Sequence, residues 1–385
     1  MISFLGSEIG RGHPFYLDGV ERALRAKGRA DLIARRSDVF SVSRGTSLLA
    51  WRAVRAAYEI GGRGGLASAV YQRFRRHTDY ERPSAVLRAL GRDLRRWAAD
   101  GDVIVVDHPA VCGALGGRAD VWYAHGEMIA PPEAIVRRAA RVFVPLPETA
   151  AAFVHAGVPK ERVLVTGICV ENELVPLAAA AFEARRERLV GAAPLTVAFF
   201  SSGSEPGPHV RALAAGACAL SSSGRHRAVV FAKARGRLYA AVHREAARVT
   251  RGPEVVPFDG REDLDRRTAQ ALPEIDLVAS PPHERSNWAV ALGLPFLLVG
   301  PDLGPFAPRN RALLLGRGVA TEIVSEVDAL MLPARIDRLR SEGALLEMSQ
   351  RGWGPDFRGF ERAAAFLEAE TGARRESSSV LPVSG

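Results

Sequence analysis

The sequence predicts an α/β protein made of two doubly wound, Rossmann-like parallel-sheet domains facing a central cleft. Three observations carry this. At 385 residues the chain is too long for one ordinary core. Short apolar runs such as Asp102-Val-Ile-Val-Val-Asp107 have the pattern of parallel strands covered on both faces. These runs alternate with helical segments, and the alternation restarts midway along the chain.

In order, the first half opens with a strand over 2–5, a glycine-rich turn through His13 and a helix over 15–26 closed by Gly28. A second strand follows near 30–34. An Arg-rich helical region spans about 48–98, its apolar positions at helical spacing. Strands are then expected at 102–107, 121–123, 142–144 and 162–166, with helices over 132–140 and 148–156. Residues 170–193 lack strand signals and end in Gly191-Ala-Ala-Pro194, so the first domain is set at 1–175 and the second at 190–355. The second domain should place strands at 195–200, 227–232, 254–258, 275–279 and 296–299, with helices over 208–220 and 238–250. A last helix over 356–372 is expected to pack back on the first domain, with 373–385 a disordered tail.

Composition narrows the class. A hydrophobic content of 47% with 25% charged residues is that of a globular protein. The formal charge of +9 is carried almost wholly by arginine, since Lys27, Lys160 and Lys233 are the only lysines. Phosphates or an anionic bilayer surface therefore count as partners. Nucleic acid does not, because no aromatic platform or recognised motif accompanies the charge. Cys112, Cys169 and Cys218 are too scattered for a disulfide framework or a zinc site. With no signal-like start and no long apolar stretch, the expected location is the cytoplasm, at most peripheral to the inner face of the membrane.

Ligands of open parallel sheets sit beyond the carboxyl ends of the strands, so the loops there are the candidates. In Gly6-Ser-Glu-Ile-Gly10-Arg-Gly12-His13 the glycines permit close backbone approach, and the helix that follows favours negative charge at its start. An imidazole at this mouth can take a proton from an attacking hydroxyl near neutral pH, which makes His13 the candidate catalytic base. A turn that serves packing alone and a histidine that caps its own helix would explain the same residues. Asp107, His108, His125 and Glu127, at strand ends on the acceptor side, can supply a second base. In the second domain, Ser202, Gly203 and Ser204 can offer backbone N–H groups to a diphosphate, and Lys233, Arg285 and Arg309 can neutralise it.

The stretch Gly6–Gly28 resembles the opening of the monogalactosyldiacylglycerol synthase and processive diacylglycerol glucosyltransferase family, and less closely that of the peptidoglycan N-acetylglucosaminyltransferases, which begin S-I-G-x-G-H. The resemblance continues through Ala56-Ala-Tyr58, Tyr71-Gln-Arg73, Asp102–Pro109, Arg141-Val-Phe-Val-Pro145 and Ala156–Val170. It resumes at Ala232-Lys233, Ala291-Leu-Gly-Leu-Pro295 and Asn310. It implies the glycosyltransferase-B fold, acceptor binding by the first domain and nucleotide-sugar binding by the second. The implied donor is a UDP-sugar acting as substrate, with no other cofactor and no metal. Two motifs depart from the family. The glycines of its Pro-Gly-Gly segment are Pro282-His283 here, and the place of its ribose-holding glutamate falls on Trp288, beside Ser286. Of the G-Q-E-E-x-N stretch that grips the donor sugar, Gly304 and Asn310 remain. Trp288 can stack on a base or fill core.

Arg52, Arg55, Arg63, Arg73, Arg75 and Arg76, interleaved with Trp51, Tyr58, Tyr71 and Phe74, can seat a helix on anionic headgroups or form an ordinary helix pair with an Arg-biased solvent face. The leading expectation is an inverting glycosyltransferase acting on a hydroxyl acceptor, with lipid-linked acceptors included. The alternative is a non-catalytic protein of this fold that binds a nucleotide sugar or a partner. An epimerase of the same fold also remains open.

Overall fold

The computed structural model describes all residues except 10, 11, 62–72, 74–79, 81, 83, 99, 100, 117, 119, 355 and 380–385, and describes the backbone alone at 12, 13, 60 and 374–379. The described residues fall into two compact units. The first comprises Met1–Gly61, Ala69–Asn172 and Arg358–Gly385, and the second Glu173–Phe357.

In the first unit, β1 (Ile2–Gly6), β2 (Ile33–Asp38), β3 (Val103–Val106), β4 (Val121–Ala124), β5 (Arg141–Val144) and β6 (Val163–Val165) form a parallel sheet in the order β2-β1-β3-β4-β5-β6. The apolar runs are continuous because both faces are covered. Ile104 and Val106 of β3 join one core with Tyr123, Val142 and Phe153. Val103 and Val105 join another with Phe4, Trp122 and Phe143. The helices Gly45–Gly61 and Ala85–Trp97 pack on the first of these cores. The second helix is capped by the Ser84 hydroxyl, which accepts from the Leu87 N–H. The helix Gly359–Ser379 packs on the helix Gly12–Ala26, where Phe360 meets Phe15 edge to face at 5.1 Å.

The second unit holds β7 (Thr196–Phe200), β8 (Arg227–Lys233), β9 (Glu254–Phe258), β10 (Leu277–Ser280), β11 (Phe296–Val299) and β12 (Ala320–Ile323), all parallel, in the order β12-β11-β10-β7-β8-β9. Val197, Phe199, Val230, Ala279 and Leu297 face one core. There they meet Leu213, Leu220 and Leu332 from the helices Gly207–Ser222 and Leu332–Ser341.

Four expectations need correction. The helix expected over 132–140 is a single 3-10 turn, Pro132–Ala134, followed by irregular chain. β12, the half-buried edge strand Ala-Thr-Glu-Ile, carries no apolar run and was not anticipated. The last helix runs on to Ser379, past the point where a tail was expected to begin. Finally, Trp51 is turned fully inward, its indole N–H donating to the Leu90 carbonyl at 3.1 Å, and Tyr58 packs on the same core, so neither aromatic faces a bilayer. Arg63, Arg75, Arg76, Tyr71 and Phe74 lie outside the described residues.

Candidate functional site

At the carboxyl edge of the first sheet, three loops are tied together. The turn after β1 is fixed by the Ser7 N–H, which donates to Asp107 Oδ2 at 3.2 Å. His13 falls in the first turn of the helix Gly12–Ala26; Gly10 lies outside the described residues, as does the side chain of His13. The loop after β4 meets the same helix at Gly126, where a Cβ would lie 1.9 Å from the Tyr16 ring. Only glycine allows that approach.

Asp107 follows β3 and is buried, and burial pushes its pKa up to about 7 against the opposing hydrogen bonds of Ser7 and the charge of Arg36. A carboxyl group with that value can exchange a proton at neutral pH. His108 is occupied otherwise. Its Nδ1 accepts from the Ala110 N–H at 3.0 Å and caps the short helix Pro109–Leu115. His125 is engaged at both nitrogens, with the Tyr123 hydroxyl 3.2 Å from Nδ1 and the Ile129 carbonyl 3.1 Å from Nε2. Burial drives its pKa down to about 4, so the ring is neutral near pH 7. Glu127, two residues on, is half-buried.

At the carboxyl edge of the second sheet, side chains knit the loops in the same way. Glu205 has a positive φ of 45° and accepts from the Arg237 N–H at the start of the helix Arg237–Ala246, joining the loops after β7 and β8. His209 reaches the Pro301 carbonyl at 2.6 Å, joining the loops after β7 and β11. Asn310 Nδ2 donates to the Pro282 carbonyl at 3.2 Å, joining those after β10 and β11. Neither Glu205 nor His209 was singled out from the sequence, because their partners are backbone groups that only the fold brings near.

Ser202 and Ser204 stand with their hydroxyls 3.4 Å apart beside exposed Gly203, and Glu205 N–H closes the turn onto the Ser202 carbonyl. The helix Gly207–Ser222 that follows has no side-chain cap, which leaves its first N–H groups for an anion. Lys233 ends β8 exposed, and Arg309 is exposed on the helix Ala307–Gly316.

Of the two readings of Trp288, the structure takes the core one. Trp288 is buried, its ring edge-on to Phe200 at 5.4 Å with the Arg285 guanidinium 5.5 Å away, so it fills core and offers no face to a base. Arg285 is itself buried, 4.4 Å over the Phe200 ring and 3.4 Å from Glu284, so it is neither a cation offered to a diphosphate nor a solvated surface charge. Ser286 is fully buried beside it. The carboxylate nearest in sequence to the missing glutamate is Glu284. Burial opposes its charge, but Arg285 and Arg261 outweigh that and hold its pKa below the ordinary value.

No family model and no curated protein matches the chain. Among solved structures, it is similar to the UDP-GlcNAc 2-epimerase from Neisseria meningitidis bound to UDP-GlcNAc, at 12% identity and a TM-score of 0.56 over 96% of this chain and 98% of that one. It is also similar to S. aureus MnaA with UDP, at 11% identity and a TM-score of 0.58 over 99% and 98%, and to Acinetobacter baumannii MurG, at 14% identity and a TM-score of 0.52 over 96% and 100%. The fold is glycosyltransferase-B. Two parallel sheets flanked by helices are the architecture that the sequence pattern implied, with β12 added to the second. Within it, both candidate regions lie at carboxyl strand ends, where this class of sheet places ligands. No described helix is long and apolar enough to cross a membrane.

Proposed function

We propose that the chain binds a nucleotide sugar, a UDP-sugar in the first instance, through the second unit and transfers the sugar with inversion to a hydroxyl acceptor held by the first. The observation that carries the reading is the uncapped start of the helix Gly207–Ser222 behind the Ser202–Ser204 loop, a ready site for a diphosphate. Solved structures of similar fold that hold UDP or UDP-GlcNAc support it. In the proposed step His13 accepts the proton of the acceptor hydroxyl as the oxygen attacks the anomeric carbon. The bond to the nucleotide diphosphate breaks in the same displacement, and helix N–H groups with Lys233 stabilise the departing charge. Asp107, able to hold or release a proton near neutrality, serves as the second acid or base of that site.

His13→Ala should abolish sugar transfer from UDP-sugars while leaving the Tm and UDP affinity unchanged. Transfer at the wild-type rate removes His13 from the mechanism. One observation favours the non-catalytic alternative: Trp288 in the core leaves the place of the ribose-holding carboxylate without one. UDP binding without transfer, hydrolysis or epimerisation of any UDP-hexose would establish that reading. A UDP-hexose recovered with one carbon inverted would instead establish an epimerase.

A further inference from the structure

The short helix Glu326–Leu330, just after the edge strand β12, is turned the wrong way round for a helix that serves only its own core. Ala329 is fully buried toward the helix Gly207–Ser222, where a Cβ on Gly216 would lie 3.4 Å from the Ala329 Cβ and 2.8 Å from Leu332 Cδ1. This small pair brings the two helices close. The larger apolar residues are left outside. Val327, Leu330 and Met331, spaced i, i+3 and i+4 and so on one face, are 69%, 53% and 59% exposed, and Val324 before them is 61% exposed. Burial ordinarily favours the larger apolar side chains, and the outer face of such a helix is ordinarily polar. Val324 also lines a recess of about 170 Å³ with Leu298, Val299 and Pro301. Apolar residues scattered singly over a surface need no explanation, but four within the eight residues 324–331, beside an apolar recess, mark a contact surface.

We propose that this face joins two copies of the chain about a two-fold axis, apolar face to apolar face. Three observations choose the occupant. Glu326 and Asp328 stand on the same short helix, so an anionic bilayer or a nucleic acid would be repelled. A peptide adding a strand to β12 is obstructed, because Arg335 already donates to the Glu322 carbonyl and, at 2.6 Å, to the Thr321 hydroxyl. The rim carries both signs of charge. Arg211 lies 3.6 Å from Glu326 with both side chains more than half exposed, so two-fold rotation can set each arginine against the glutamate of the other copy. A surface with an apolar centre and both charges at its rim is complementary to itself. Four apolar side chains make the centre of an interface of ordinary size, which points to association at micromolar concentration.

Sedimentation of the full-length chain should show reversible dimerisation between roughly 1 and 100 µM. Val327→Glu with Leu330→Glu should leave a monomer throughout that range with an unchanged Tm, since both side chains lie outside the core. Arg211→Glu and Glu326→Arg should each weaken the dimer by about tenfold or more. An equimolar mixture of these two variants should restore it, because the exchanged charges then meet across the axis in both places. A wild-type chain that stays monomeric overturns the proposal, and its flotation with phosphatidylcholine vesicles would give the face to a bilayer. A dimer that survives the paired glutamates places the contact elsewhere. Single reversals without effect, or a mixture no tighter than either variant alone, overturn the two-fold pairing.

Discussion

At Asp107 the fold holds a carboxyl group in the form that water disfavours. Burial raises its pKa from an ordinary 3.8 to about 7, so between those values the folded chain binds a proton that the unfolded chain has released. Stability from this group is therefore fully present in acid and is lost as pH rises through neutrality, by on the order of a few kcal/mol. Asp107→Asn keeps an oxygen for the Ser7 N–H and removes the titration. Its Tm should exceed that of wild type at pH 8 and approach it at pH 4, and a difference independent of pH would show that the group is not so perturbed. His125 has the opposite dependence. Its lowered pKa of about 4 means that folding favours the neutral ring, so its contribution is lost as pH falls from about 6.5 toward 4. These residues were legible as candidates because they sit after apolar runs. Their roles were not, since a hydroxyl two residues back and a carbonyl four residues on become partners only once the turn has its shape.

Strands buried on both faces announced themselves as unbroken apolar runs, which is why β1, β3, β7 and β11 could be read directly. β12 escaped because an edge strand flanked by solvent has no such requirement. The 132–140 segment misled differently: its apolar spacing suits a helix and a proline start is compatible with one, as at Pro109 and Pro147, yet the chain leaves the 3-10 turn after three residues. Between helices, glycine sets the distance. A Cβ on Gly19 would come within 2.3 Å of the Phe360 ring, and the Gly19 carbonyl also accepts from Asn172 Nδ2 at 3.3 Å. Gly19→Ala should therefore cost about 1–3 kcal/mol in urea unfolding, the usual penalty of overpacking. Phe360→Leu in the same chain should restore part of it, whereas additive losses in the double variant would mean that the two do not share the space.

For the whole chain, part of the arginine charge is taken up by internal partners. Arg285 is stacked on aromatic rings, Arg36 pairs with Asp18 at 2.6 Å, and Arg225 and His226 both hold Asp337. With Trp51 and Tyr58 turned inward, the exposed side of the helix Gly45–Gly61 includes Leu49, exposed at 62%, Arg52 and Arg55, the last in a solvated pair with Glu59 at 3.2 Å of the kind that contributes little. We propose that this face, bordering a groove of about 320 Å³ lined by Phe40, Leu48 and Glu59, is where the chain rests on an anionic membrane. Each arginine near such a surface contributes about 1 kcal/mol and is screened over roughly 8 Å at physiological salt. Binding to phosphatidylglycerol vesicles should therefore fall steeply between low and high salt and be absent on phosphatidylcholine. Arg52→Glu with Arg55→Glu reverses two charges and should weaken partitioning by at least tenfold, with the Tm little changed because both side chains lie outside the core. Partitioning that ignores both salt and the reversal would mean that the positive charge of this helix is a solubilising face and that any lipid acceptor reaches the protein by another route.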